Sequence, residues 1–346
     1  MIKVKLFEPD IHRNETSFRP YRFIENELRE VGIDLIVDGD SYDFMLVGQA
    51  SFLDKKRPLH ESVEIGLEKL NTITGDYILL DGQDSTSLIG SVDVFRHVYK
   101  NDRCKLFLKT SYLKDFELYK KGWMLGRMYW GEGEYSVPDI DEMKPKMKLA
   151  GMNWLSTIQP NWNARSPIQK QYDLFAMFTF PMNTVVYEHG ALQSIHYDNF
   201  RKSLYDKLDN FESIKVSKLE NGQRVSIETF YKNLANSKIV VVPHGYGEMM
   251  PRDIEAAMFG AILLKSDMSH ILTTPNPYID NTTYISVKWD YSNLEERVDH
   301  ILSNFNHFQK NLPINLRECY VRENDPVKRI IHFYNLIKDI DNVGVQ

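Results

Sequence analysis

The stretch that decides the fold is 237–265, SKIVVVPHGYGEMMPRDIEAAMFGAILLK. It opens on the apolar run Ile239–Val242, of the kind a strand buried on both faces requires. Pro243 ends that run, and the loop His244-Gly245-Tyr246-Gly247-Glu248 leads to a helical pattern from about Pro251 to Phe259. A second strand follows at AILLK (261–265), so the segment reads as a βαβ unit. Two glycines open backbone conformations that side chains forbid, and let a ligand approach the main chain. Pro251 suits a first helical position, where its missing N–H costs nothing. A helix starting at such a loop points unpaired N–H groups and a positive dipole end at an anion. Arg252 in its first turn adds a fork-shaped cation suited to phosphate oxygens. Glu255, one turn on, is placed to accept hydrogen bonds from sugar or ribose hydroxyls. The same spacing also fits a plain surface ion pair, and the residues alone leave both readings open. Gly245 and Gly247 do not continue into GxGxxG, and no GxxxxGK[ST] loop occurs in the chain.

The alternation extends outward in both directions. Toward the N-terminus, IKVKLF (2–7), IDLIV (33–37), FMLVG (44–48), YILL (77–80) and LFLK (106–109) read as strands. Between them, Ile24, Leu28 and Val31, then Val63, Leu67 and Leu70, mark helical faces, and a further helix is expected around 88–99. Gly32 stands where a helix C-terminal cap belongs. From about 120 to 170 the pattern gives way to Gly, Pro and charge, which predicts loops with short helices. It resumes with strands at 172–178 and 213–219 and helices at 196–210 and 228–237. A strand at 283–287 precedes the last elements, and a final helix at 326–340 aligns Val327, Ile330, Ile331, Tyr334 and Ile337. The expectation is an α/β protein of two doubly wound Rossmann-like domains. They span 1–167 and 168–325, with 326–346 as a C-terminal helix crossing back onto the first. In such sheets ligands lie beyond the carboxyl ends of the strands, which would give the two domains a shared cleft.

Composition narrows the partners. The 346 residues carry a formal charge of −6, which gives no overall attraction to nucleic acid or an anionic membrane. Cys104 and Cys319 are too few for a disulfide framework or a multi-cysteine zinc site. No apolar run approaches membrane-spanning length and no signal-peptide core opens the chain, so a cytoplasmic protein is expected. Aromatic residues make up 12%, which fits large cores and also flat walls for a sugar or a base. Tyr246, Trp130, Trp154 and Trp162 are the candidates for such walls.

The pattern S-K-[strand]-P-x-G-x-G-x4-R-x2-E-A-x3-G-[strand] resembles the donor-binding segment of GT-B glycosyltransferases, above all exostosin-like (family 47-like) enzymes. Ser237, Pro243, Gly245, Gly247, Arg252, Glu255, Ala256 and Gly260 carry the match over about 30 residues. The resemblance implies a GT-B fold and transfer of a hexosyl or pentosyl group from a UDP- or GDP-sugar to a glycan hydroxyl. Inversion without a metal or other cofactor is implied too. It also implies that Arg252 contacts the donor diphosphate and Glu255 the ribose or sugar. His244, Gly245, Tyr246, Gly247 and Glu248 complete the expected donor loop. The sequence departs from the family at Met250-Pro251, where a small polar residue usually precedes the arginine, so backbone N–H groups must do more.

Inverting transfer needs a base for the acceptor hydroxyl, expected at a strand end of the N-terminal domain. The turn Asp81-Gly82-Gln83-Asp84 after YILL offers two carboxylates, of which Asp84 is placed first. An aspartate there also suits a helix cap. His12, after the first strand, is the other candidate, since imidazole titrates near neutrality. Lys109, at the end of LFLK, could offer charge to the cleft, but reads first as a strand-end lysine facing solvent. Asp139-Ile140-Asp141 spells DxD but lies in a charged loop, and His189, His196 and His244 lack metal-ligand spacing, so no metal site is expected. A non-catalytic nucleotide- or glycan-binding protein, or a sugar-nucleotide epimerase, would share these features.

Overall fold

The computed structural model describes residues 1–7, 15–48, 59–82, 85–88, 96–97, 99–151, 169–178, 199–219, 223–245, 247–323 and 325–343. The N-terminal half is built on β1 (Ile2–Phe7), β2 (Ile33–Ile36), β3 (Phe44–Gly48), β4 (Tyr77–Asp81), β5 (Cys104–Lys109) and β7 (Met147–Leu149). They pair in the order β2-β1-β3-β4-β5-β7, parallel throughout. Successive residues of each strand enter opposite cores. Met45, Val47, Tyr77, Leu79 and Phe107 face one, while Phe44, Leu46, Ile78, Leu80 and Leu108 face the other. That is why these strands read as unbroken apolar runs. Helices α1 (Glu15–Arg22) and α2 (Glu25–Glu30) cover one face, and α3 (Leu59–Asn71) the other. Gly32, just past α2, has φ of +92°, the left-handed conformation that ends a helix at little cost to glycine.

The C-terminal half repeats the plan. Its strands β8 (Tyr172–Ala176), β9 (Val216–Lys218), β10 (Ser237–Val242), β11 (Ile262–Ser266) and β13 (Ile285–Val287) pair as β13-β11-β10-β8-β9, again all parallel. After α4 (Ile140–Met143) of the first half come a helix α5 at 199–208, α6 (Ile227–Ala235), α7 (Pro251–Met258), α8 (Leu294–Ser303) and α9 (Phe305–Glu323). Ile239 and Val241 enter one core and Val240 and Val242 the other. The matched Gly260 has φ of +60° at the end of α7, which gives its place in the motif a backbone reason.

A strand pair and the last helix are among the features that join the halves. Strand β6 (Ser111–Leu113) pairs antiparallel with β12 (Ile271–Thr273), extended by Lys114 N–H donating to His270 O at 2.8 Å. The last helix, α10 (Pro326–Val343), packs on the N-terminal half, with Ile330, Phe333 and Ile337 in one core with Val4, Leu6, Tyr21 and Leu28. Phe333 meets Tyr21 edge-on, ring centroids 4.8 Å apart. Burying each of those three side chains stabilises the half by roughly 1.5–3 kcal/mol.

Several details differ from the sequence expectations. The inward stripe of α10 is Ile330, Phe333 and Ile337, and Val327 and Ile331, at 59% and 51% exposure, lie outside it. A stripe centred on 330 and 337 takes in 333 and 334 and leaves 327 and 331 at its margins. Strands β6 and β7 fall in or beside a region expected to be loops; each is three residues long, too short for a periodic signal. The strand expected over 213–219 is confined to Val216–Lys218. Lys109 does not face solvent at all: it is fully buried. Most of the helix expected around 88–99, and the boundary near 165–170, lie outside the described residues. Among the described residues no helix is long and apolar enough to cross a membrane.

Candidate functional site

Beyond the carboxyl end of the C-terminal sheet, α7 begins at Pro251 with Arg252 in its first turn. Arg252 Nη1 donates to Met177 O at 2.6 Å, just past the end of β8. Its guanidinium lies 4.6 Å from the Phe230 ring centroid on α6, and Nε lies 3.7 Å from Glu255 Oε2. Glu255 in turn accepts from Tyr231 OH at 3.2 Å. Burial is the main influence on Glu255 and raises its pKa above the usual carboxylate value, with the charge of Arg252 opposing. The i, i+3 pair is therefore half-buried and braced by α6, unlike a solvated surface pair. The sequence spacing marked Arg252 and Glu255; it gave no sign of Met177, Phe230 or Tyr231, which come from other elements.

The helix is aimed from beneath by a second pair. Lys265, fully buried near the end of β11, donates to Asp253 Oδ1 at 2.9 Å and Oδ2 at 2.8 Å. Asp253 also accepts from Tyr278 OH at 2.7 Å and from Met250 N–H at 3.2 Å, so it caps the start of α7. An acid in a first helical turn would oppose a bound anion, and the ammonium of Lys265 offsets that charge. Sequence reasoning missed this pair, although a lysine ending the apolar run AILLK, with an aspartate in the preceding helix, is the available signal.

The loop before α7 is close-packed. Gly245 N–H donates to Gly247 O at 3.1 Å, and a Cβ on Gly245 would meet Met250 Sδ at 3.0 Å. A side chain at Gly245 would thus have to displace the end of Met250, while no positive φ calls for glycine there. His244 is buried between Tyr129 and Phe200, at ring centroid distances of 4.6 and 5.9 Å. Burial, with the Lys265 charge second, drives its pKa well below the usual imidazole value, so it is neutral. Glu248 is fully buried and reaches the other half, accepting from Thr86 N–H at 3.0 Å and Thr86 Oγ1–H at 2.5 Å. His270 Nε2 lies 3.7 Å from the same carboxylate. Burial opposes its ionisation, but His270 and Thr86 outweigh this and hold the carboxyl down to about 2.

On the N-terminal side, Asp81 is also fully buried and accepts from Lys109 Nζ at 2.9 Å. Lys109 donates to Ser85 O and Ser87 O as well, both at 2.9 Å. Asp81 thus anchors a lysine that shapes the segment after β4. Asp84, His12, Tyr246, Trp154, Trp162, His189 and His196 lie outside the described residues, as does the side chain of Trp130. Asp139 pairs with Arg96 at 2.9 Å and Asp141 with Lys120 at 2.6 Å, so the DxD letters form ion pairs. Among the described residues, no group of three or more His, Cys, Asp and Glu is gathered as for a metal.

No protein-family model matches the sequence, and no curated protein does. Solved structures do. Sucrose-phosphate synthase from Thermosynechococcus elongatus superposes with a TM-score of 0.52 at 11% identity, covering 99% of this chain and 100% of its own. The fold is GT-B. Anabaena HepE in complex with UDP-glucose gives a TM-score of 0.49 at 10% identity over 98% of this chain and 100% of that one. A glycosyltransferase from Rickettsia africae gives 0.44 at 11% identity, over 98% of both chains. Within the GT-B frame, Arg252, Glu255 and the start of α7 stand at the carboxyl end of the C-terminal sheet, while Asp81 and the segment 85–88 end the N-terminal one.

Proposed function

We propose that the chain is a glycosyltransferase that moves a hexosyl or pentosyl group from a UDP- or GDP-sugar to a glycan hydroxyl. The observation that carries this reading is Arg252. A half-buried guanidinium is steered by Met177 O and Phe230 to the first turn of a helix whose own acid is neutralised by Lys265. Such a start binds a diphosphate through N–H groups and a fork of charge. As the donor bond breaks, negative charge grows on the leaving diphosphate, and the same groups stabilise it without a metal. Glu255, beside it, accepts from the donor's ribose or sugar, and Gly245, Tyr246 and Gly247 bring main chain to the ligand. The resemblance of 237–265 to exostosin-like enzymes supports inversion, with Asp84 or His12 taking the acceptor proton. Asp81 is better suited to holding Lys109 than to that task.

Calorimetry with UDP and GDP, beside a donor-hydrolysis assay in EDTA, tests the reading. One nucleotide should bind, and turnover should survive the chelator. Arg252→Ala should lower turnover about 100-fold or more while circular dichroism stays native. Near-native turnover in that variant refutes the assignment. Binding without turnover under any acceptor marks a non-catalytic binder instead, and epimerised UDP-GlcNAc an epimerase.

A further inference from the structure

The donor loop and the N-terminal half share one buried polar contact that the proposed chemistry does not use. Glu248 follows Gly247 directly and stands four residues before Arg252, yet its carboxylate leaves its own half. Both of its oxygens receive donors from Thr86, the backbone N–H at 3.0 Å and the hydroxyl at 2.5 Å. Taking a carboxylate out of water is costly unless charge-assisted bonds replace its hydration, and two donors from one residue do so in a fixed geometry. Thr86 is itself held on every side. Its carbonyl accepts from Tyr119 OH at 2.7 Å, and the carbonyls of Ser85 and Ser87 accept from Lys109. On the other side of the contact, Gly245 N–H donates to Gly247 O at 3.1 Å, which ties Gly245 to the residue that directly precedes Glu248. A displacement of Gly247 is therefore carried through Glu248 and its two bonds to Thr86, and Thr86 belongs to a braced segment.

We propose that Glu248 is a positioning residue that, through Thr86, couples occupancy of the donor loop to the segment 85–88 on the acceptor side. This rests on the donor reading above. It assigns Glu248 no contact with the donor. Nucleotide binding at 245–252 tightens the Glu248–Thr86 contact and fixes the acceptor side in register with the donor.

Hydrogen–deuterium exchange of the full chain with and without UDP tests it, alongside UDP calorimetry. In the wild type UDP should slow exchange across 85–88 by about fivefold or more, as expected when a hydrogen-bonded segment opens less often. Thr86→Ser keeps both donors and should retain the effect. Glu248→Ala and Thr86→Val should lose it while binding UDP within about threefold of wild type, a difference too small for a lost ligand contact. Thr86→Val retains the backbone donor and the shape of the residue, so it reports on the coupling if Glu248→Ala folds poorly. If the variants weaken UDP as much as Arg252→Ala does, Glu248 is a donor ligand and the proposal is overturned. Protection confined to 243–255 in the wild type overturns it equally. Failure of UDP and GDP to bind the wild type instead overturns the donor reading, and this inference with it.

Discussion

Each half of the molecule buries a lysine at the end of a central strand, and the two lysines are used differently. Lys109 and Asp81 are direct neighbours across β4 and β5, but two of the three bonds of Lys109 go to backbone carbonyls of the next segment. Lys265 donates to both oxygens of one carboxylate, Asp253, at the start of a helix. The first lysine shapes a loop; the second aims a helix and neutralises its first turn. The difference teaches that equivalent places in two doubly wound sheets can hold the same residue type for different structural ends. The C-terminal place offsets the charge of an acid at a helix start, and the N-terminal place holds a segment rigid.

The contrast can be broken by removing each lysine in turn. Lys109→Met deprives a buried carboxylate and two carbonyls of their cation, and should cost about 3–5 kcal/mol in urea unfolding. The seam between the halves comes next. Glu248 has a folded pKa of about 2 against the usual 4.5, so its stabilisation is complete above pH 4.5 and is lost as pH falls toward 2. The shift corresponds to roughly 3 kcal/mol. Glu248→Gln should flatten the acid limb of stability between pH 4.5 and 3, and an unchanged limb counts against the seam. Lys265→Met should cost less than Lys109→Met, about 2–3 kcal/mol, because Tyr278 OH and Met250 N–H still donate to Asp253. Equal losses for the two lysines would erase the contrast. The smallest effect belongs to Asp139→Asn, whose partner Arg96 is partly exposed, and about 0.5 kcal/mol is expected from thermal or urea unfolding.

The sequence made the two sheets legible wherever a strand is buried on both faces, because IVVV and YILL can be little else. It did not show β6 or β7, whose three residues carry too little pattern and whose pairing is decided by distant partners. The Arg252–Glu255 spacing was legible as one helical face, but the aromatic bracing from α6 was not. The Thr86–Glu248 bond joins residues 162 positions apart, and neither has a neighbour that hints at the other. Lys109 was misread because a lone lysine at a strand end has the same letters whether it meets water or a carboxylate. Burial of charge depends on what the fold brings opposite, and that is the part periodicity cannot supply.

The packing of α10 has a consequence for how the chain is made. The first core contains Val4, Leu6 and Ala150, yet it is closed by Ile330, Phe333 and Ile337. Between emergence of Ala150 and Ile337 from a ribosome, synthesis of the whole second half must pass, about 10–40 s at ordinary elongation rates. For that interval the apolar side chains that α10 will cover have no helix to cover them, and they stay open to contact with other chains until the last turns arrive.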